Sequence, residues 1–417
     1  MALCNNRKPE LIAQPEGKFM KRFINQALLV TGLGLLSHSI AMGEITLVDK
    51  VEIPGTSTDK SGLKEKLEDG TPLSQLGGFS AIASAGDGTY WILPDRGPKD
   101  GAVSFPCRVH RMRIELADDG KVKNYELLET KLLKKDGRSL IGLAAAIQGA
   151  KPASNLRFDP EGVRALPDGR LAISDEYGPS VVLFNASSGE AFKWFDTPSR
   201  FAVKNPSADP IEEGSANQTG RQPNGGFEGL AYQADRKTLW AFAQKPLIQD
   251  SEALSGGKRK GEFCRIVEFT EAGEVKGEFL YPVENKSSGI SEILALGHGQ
   301  ALVLERDGDA GLEAKQKQVY WIDASEATDS RSVESASRKS LSSEIKPVVK
   351  KLWIDFLDPK FGLAGEKFPE KPEGLVFGPT LPDGSRTLLV AIDNDFESNQ
   401  SSQIWVFRFQ ATDVPNK

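Results

Sequence analysis

The sequence predicts an all-β fold, a β-propeller of five four-stranded blades. Three observations predict it: a hairpin grammar repeated five times, strand-length apolar runs behind each hairpin, and a last unit one strand short whose missing strand is available near the N-terminus. The hairpins are GGFSAIASAGDGTYWILPDRGP from Gly77, DPEGVRALPDGRLAISDEYGP from Asp159, GGFEGLAYQADRKTLWAFAQKP from Gly225, GISEILALGHGQALVLERDGD from Gly289 and KPEGLVFGPTLPDGSRTLLVAIDNDF from Lys371. Each opens on a small or acidic residue and runs through a short apolar strand to a turn such as Asp87-Gly88 or Pro382-Asp383-Gly384. It then returns as a second apolar strand ending in Asp, Glu or Gln.

Two further strands follow each of the first four hairpins. They are Val109 to Leu116 with Tyr125 to Leu133, Val181 to Phe184 with Ala191 to Phe195, Arg265 to Phe269 with Lys276 to Tyr281, and Val319 to Ile322 with Val348 to Phe356. The fifth hairpin is followed only by QIWVFRF, so ITLVDKVEI from Ile45 is expected to complete that blade and close the ring, which leaves no long exposed edge. A sixth, degenerate blade has room only in residues 133–158 or in the polar stretch Ser330 to Ser343, and both read better as excursions. Residues 205–226 and 253–261 have loop composition. No helix-length amphipathic segments alternate with the strands, which argues against an α/β hydrolase.

The 417 residues are 39% hydrophobic and 26% charged, enough apolar mass for a large core and too much for disorder. From Met20 the chain reads MKRFINQALLVTGLGLLSHSIA: a basic start, an apolar stretch too short to span a bilayer, and a small-residue end. Residues 20–41 are therefore expected to be a secretory signal, residues 1–19 an extension ahead of the true start, and 42–417 one propeller domain, monomeric, in the periplasm or secreted. The formal charge of -6 becomes -9 without residues 1–41, so a nucleic-acid partner is excluded and cations are favoured. Two cysteines remain, Cys107 and Cys264. A single disulfide competes with two buried thiols, and the equivalent third strands CRVHRM and CRIVEF put the pair on different blades, against the bond.

In a propeller the first strand of each blade lines the channel, so residues starting strand one and leaving strand two meet at one mouth. The starting set is Glu161, Glu228, Glu292 and Glu373, with Ser80 in the first unit. The leaving set is Asp95, Asp175, Glu176, Glu305, Asp393 and Asp395, with Gln244 in the third. So many carboxylates repel one another unless cations compensate. Arg96, Lys245 and Arg306 supply part, with Arg108 and Arg265 as further candidates, and a hard divalent cation, Ca²⁺, would supply the rest. The metal set is Glu161, Asp175, Glu228, Glu292, Glu305, Glu373 and Asp393. Catalysis is assigned to Glu161, Asp175, Glu176 and Glu228, and binding of a small anionic or ester substrate to Asp95, Arg96, Lys245 and Arg306. The competing reading makes each acid an acceptor for loop N–H groups and explains Gly after Glu by turn geometry. A nucleophile elbow, a P-loop and a dinucleotide fingerprint are missing, and no histidine is placed for a triad.

The segments FDPEGVRALPDGRLAISDEYGPSVVLF, GGFEGLAY, GISEILAL, PEGLVFGP and AIDNDF resemble the bacterial exported phytase-like family, also called esterase-like activity of phytase, from about Ile45 to Phe409. The resemblance implies a propeller-type domain and a hydrolase of phosphate-monoester or carboxylate-ester substrates. The R-H-G-x-R-x-P signature of histidine acid phosphatases is missing, so phytase chemistry would be of the calcium-dependent propeller kind. A Ca²⁺-dependent lactonase or carboxylesterase is the alternative; such a site wants Asn ligands, and Asn394 is the one Asn among the residues of this mouth. A non-catalytic propeller that binds a ligand or protein on its top face is the third reading.

Overall fold

Alternating apolar residues make the strands, and the turn residues between them set their pairing. The computed structural model describes residues 44–149, 151–254 and 259–415. Five four-stranded antiparallel sheets carry the fold. Blade I is Phe79–Gly86, Thr89–Pro94, Arg108–Leu116 and Val122–Leu132; blade II is Pro160–Ala165, Arg170–Asp175, Ser180–Asn185 and Ala191–Trp194. Blade III is Phe227–Gln233, Thr238–Ala243, Phe263–Thr270 and Val275–Pro282; blade IV is Gly289–Gly297, Gln300–Arg306, Lys317–Asp323 and Val349–Asp355. Blade V is Lys371–Phe377, Arg386–Asp393 and Ser401–Phe409, completed by the N-terminal strand Thr46–Pro54.

That last pairing closes the ring as expected, with Thr46 opposite Arg408 and Pro54 opposite Ser401. The first strands touch in blade order, and blade V returns to blade I. The apolar core divides accordingly into a cluster at each blade-to-blade interface. Trp240, Trp321 and Trp405 are buried in them, large rings filling the wedge between twisted sheets.

Both stretches considered for a sixth blade are excursions. Among their described residues, 133–158 hold the two-residue strands Lys134–Lys135 and Arg138–Ser139 and a short helical turn Pro152–Ser154, and the Ser330 to Ser343 stretch is turns. Two segments of loop composition are partly ordered, contrary to the sequence reading. Within 205–226 lies the helix Pro210–Ala216, started by the Asp209 carboxylate, which accepts from the N–H groups of Ile211 and Glu212 at 2.8 and 3.0 Å. Ser251–Ala253 pairs with Arg259–Gly261 as a small hairpin. The signal segment and the extension before it lie outside the described residues. Cys107 and Cys264 are free and buried.

His110, in the third strand of blade I, is fully buried beside Asp59 and Arg108, its Nδ1 2.9 Å from the Thr130 hydroxyl. Burial pushes its pKa down to about 3. The native state therefore holds this ring neutral while the unfolded chain protonates it, so the stability it confers is complete above about pH 6.5 and is lost as pH falls toward 3. Between pH 6.5 and 5 the wild type should lose roughly 2 kcal/mol more than His110→Gln. Urea midpoints at the two pH values check it; equal losses would show that the folded state protonates the ring as readily as the unfolded chain does.

Candidate functional site

The site is made by a backbone irregularity repeated five times. In every first strand the ladder to the second strand skips a position at the same place: Ser80, Glu161 with Gly162, Glu228 with Gly229, Ser291, and Glu373. Such β-bulges re-aim a side chain, and here they turn these five residues into the channel mouth. Ser80, Glu161, Glu228, Ser291 and Glu373 all line one cavity of about 570 Å³. Glycine after the bulged Glu is required by close approach. Gly162, Gly229 and Gly374 do not have positive φ, but a Cβ on them would lie 2.7 Å from the Glu228 carbonyl oxygen, 2.8 Å from the Ile293 nitrogen and 2.8 Å from the Ile82 nitrogen. The turn explanation of the Glu-Gly pair is thereby replaced by packing of the next blade.

Register also sorts the residues that leave strand two. Asp95, Glu176, Gln244, Arg306 and Asp393 are equivalent, each opposite the residue two before the bulged Ser or Glu. Glu305 and Asp175 stand one residue earlier, and neither lines the mouth. The Glu305 carboxylate is fully buried between blades, accepting from the Tyr281 hydroxyl (2.8 Å), the Glu284 N–H (2.7 Å), Gln316 Nε2 (2.7 Å) and Lys350 Nζ (2.6 Å). Asp175 accepts from the N–H groups of Asp159, Tyr177 and Gly178 at 3.1 to 3.2 Å, an acceptor for loop N–H groups. Glu292 is one residue past its bulge, so Ser291 occupies the mouth in its place.

Glu292 instead pairs below with Arg164 at 2.9 Å. Arg164 reaches across the channel, donating to the carbonyl oxygens of Ile82 (3.4 Å), Val163 (2.5 Å) and Ile293 (2.7 Å) on the first strands of blades I, II and IV. The cation thus ties the first strands of three blades together.

The remaining charges gather at the mouth. Glu161 faces Asp159, Glu176 and Glu228, and burial followed by their repulsion raises its pKa well above the usual carboxylate range. Burial, then Asp159, lifts Glu176 to about 7. Each of Asp159, Glu161 and Glu176 offers an oxygen within 4.8 Å of the others. Arg96 is the cation on this trio, its Nη1 lying 2.5 Å from Asp159 and 3.3 Å from Glu176. Glu228 is pushed up by burial, Glu176 and Glu373, and Gln244 hydrogen-bonds to it. Burial, then Asp393, raises Asp95.

On the opposite side Arg306 pairs with Glu373, which also accepts from the Ser80 hydroxyl at 3.1 Å, and Arg306 Nε donates to Ser291 at 2.8 Å. Lys371 lies between Asp393, 3.6 Å away, and Asp395. Asp393 sits just outside the cavity and is lifted to about 7 by burial. Lys245 donates to the Asn224 carbonyl at 2.6 Å and forms no ion pair among the described residues.

The bulged ring and the neighbouring positions thus bring together Asp95, Arg96, Glu161, Glu228, Lys245, Arg306 and Glu373 in one cavity, with Glu176 behind Arg96. Arg108 and Arg265, considered as further cations here, are elsewhere. Arg108 pairs with buried Asp59, and Arg265 with Asp250 (2.6 Å) and Glu278 (2.5 Å). Asn394 is spent on the loop, accepting from the Gly78 N–H and the Ser402 hydroxyl and donating to the Glu397 and Gln400 carbonyls. Asp159, Lys371, Ser291 and Arg164 were not singled out from the sequence. The first two had a signal: each stands two residues before Glu, in DPEG and KPEG.

Among known proteins, an uncharacterised secreted protein of Arthroderma benhamiae is 28% identical over 371 residues, covering 70% of this chain and 69% of that one. A glutaminyl cyclase of Myxococcus xanthus is 10% identical in a superposition covering 88% of this chain and 97% of that one, TM-score 0.39. The hydrazine synthase of Kuenenia stuttgartiensis is 11% identical over 80% of each chain, TM-score 0.34. At these scores neither protein's activity carries over to this chain. The sequence profile of the phytase-like family, described as esterase-like activity of phytase, matches residues 74–396, from just before blade I through the hairpin of blade V. The chain belongs to this phytase-like family.

Proposed function

We propose that the channel mouth hydrolyses a phosphomonoester or a related ester with the help of a bound divalent cation, Ca²⁺, outside the cell. The observation that carries the reading is a set of buried carboxylate oxygens without partners. Among the described residues Glu176 Oε1 and Glu228 Oε2 are buried and accept nothing; the first belongs to the Asp159, Glu161 and Glu176 trio and the second carboxylate faces Glu161. Buried acids in that state call for a positive ligand, and hard oxygen donors suit Ca²⁺. Asp159, Glu161 and Glu176 would hold it, with Glu228 adjacent. When bound, the ion would supply Lewis-acid polarisation of the substrate oxygen and a more acidic water.

The chain's own residues supply the rest. Lys245, held in the cavity wall without an ion pair among the described residues, and Arg306, anchored by Ser291, would bind the anionic group across from the acids. Glu228, whose pKa burial and then Glu176 and Glu373 raise well above the usual carboxylate range, holds a proton more readily than a free carboxyl, as a general acid must. With Asn394 committed to its loop, the lactonase reading loses its proposed Asn ligand. No helix among the described residues is long and apolar enough to cross a membrane. The secreted relative supports an extracellular location.

The expected result is hydrolysis of p-nitrophenyl phosphate that chelator abolishes and Ca²⁺ restores, tested beside a lactone and p-nitrophenyl acetate. Glu228→Gln keeps the shape and removes a charge next to the ligand trio, so calorimetry should show Ca²⁺ affinity reduced by about 10- to 100-fold with the melting temperature kept. No Ca²⁺ binding by the wild type, or full Ca²⁺-dependent activity in Glu228→Gln, would overturn the assignment.

A further inference from the structure

We propose that a second cavity, on the flank of blade II, binds the carboxylate of a small acid with an apolar body. It encloses about 270 Å³ and shares no lining residue with the channel mouth. Ile147, Trp194, Phe195 and Val203 give it apolar walls, and Arg157 and Tyr177 give it a polar end.

Arg157 is the feature that calls for a ligand. Its guanidinium lies 3.9 Å from the centre of the Tyr177 ring, and its Nε is buried with no acceptor. Among the described residues the whole side chain has neither an ion pair nor a hydrogen bond. A guanidinium stays charged and presents a planar fork of donors, so leaving it unpaired in a partly desolvated site is costly. Asp175 lines the same cavity but does not reach ion-pair distance of Arg157. Its oxygens are occupied by the N–H groups of Asp159, Tyr177 and Gly178. The Tyr177 ring is itself fixed, its hydroxyl donating to the Gly142 carbonyl at 2.8 Å. Lys151 and Asp196, one cation and one anion that also line the cavity, are both exposed.

A planar fork stacked on a fixed ring and facing apolar walls matches a carboxylate carried on an aromatic or short aliphatic body. The volume limits that body to about one ring, because drug-sized ligands occupy larger pockets, from about 300 Å³ upward. The site stands whether or not the channel mouth is an esterase, because it uses none of that cavity's residues.

Phenylacetate and 2-phenylethanol, the same body without the carboxylate, are the probes, titrated into the full chain by calorimetry and by tryptophan fluorescence. Phenylacetate should bind, and the alcohol should bind about tenfold more weakly or worse. Arg157→Gln should weaken phenylacetate by about the same factor, and Trp194→Phe should remove most of the fluorescence change while leaving the calorimetric affinity near that of the wild type. Lys245→Gln, in the other cavity, should leave binding unchanged. Equal affinity for acid and alcohol in the wild type would overturn the proposal without recourse to any variant. So would undiminished binding to folded Arg157→Gln, or loss of binding in Lys245→Gln.

Discussion

Arg164→Met is expected to lower the unfolding free energy by about 3–5 kcal/mol, the usual cost of breaking a buried ion pair from one side. Arg164 is 7% exposed and Glu292 is 1% exposed, so neither partner can turn to water when the other is removed. The substitution strips Glu292 of its cation while its Oε2 already has no partner, and three carbonyl oxygens on three blades lose a donor. Burial has already pushed Glu292 up to about 7, so the orphaned carboxyl would be driven further toward its neutral form. The double variant Arg164→Met with Glu292→Met removes both charges at similar volume. It should recover most of the loss, giving a large coupling energy in the cycle. Urea midpoints of the four proteins measure it. A loss below about 1 kcal/mol in the single variant would mean that Arg164 does not bridge the blades.

The propeller was legible because hairpin grammar and strand alternation are local: Asp87-Gly88 and Pro382-Asp383-Gly384 announce turns wherever they stand. Closure by Thr46–Pro54 was legible from a count of strands. The site was legible only to within one residue, since a bulge is a matter of pairing. In blade IV the letters Ser291-Glu292 look like the Glu-Gly of blades II and III displaced by one. Choosing the acid put Glu292 at the mouth, where the register puts Ser291. The same one-residue offset separates Glu305 from Arg306 and Asp175 from Glu176. Arg108 and Arg265 misled for another reason: a third strand also begins near this face, but deeper between blades, where Asp59 and Asp250 wait for them. Arg164 gave no signal, because an arginine within an apolar strand pattern reads as solvent-facing until the ring is closed around it.

Glu161→Gln should separate function from stability in opposite directions. Glu161 has no hydrogen-bond partner among the described residues, and its charge is opposed by burial and then by Glu228, Asp159 and Glu176. Neutralising it relieves that repulsion, so the metal-free protein should become more stable, by on the order of 1 kcal/mol. The same change replaces one of the three carboxylates that converge on the proposed cation position by a neutral amide, so Ca²⁺ affinity should fall by roughly a hundredfold. At a calcium concentration far above the wild-type Kd, a hundredfold loss corresponds to about 2.7 kcal/mol less calcium-induced stabilisation. Melting curves with chelator and with calcium read both effects on one sample. A structural acceptor would behave in the reverse way, losing stability in chelator and keeping its calcium response, and that pattern would remove Glu161 from the metal set. The gain without metal and the loss with it are expected together, because both come from the same concentration of buried negative charge.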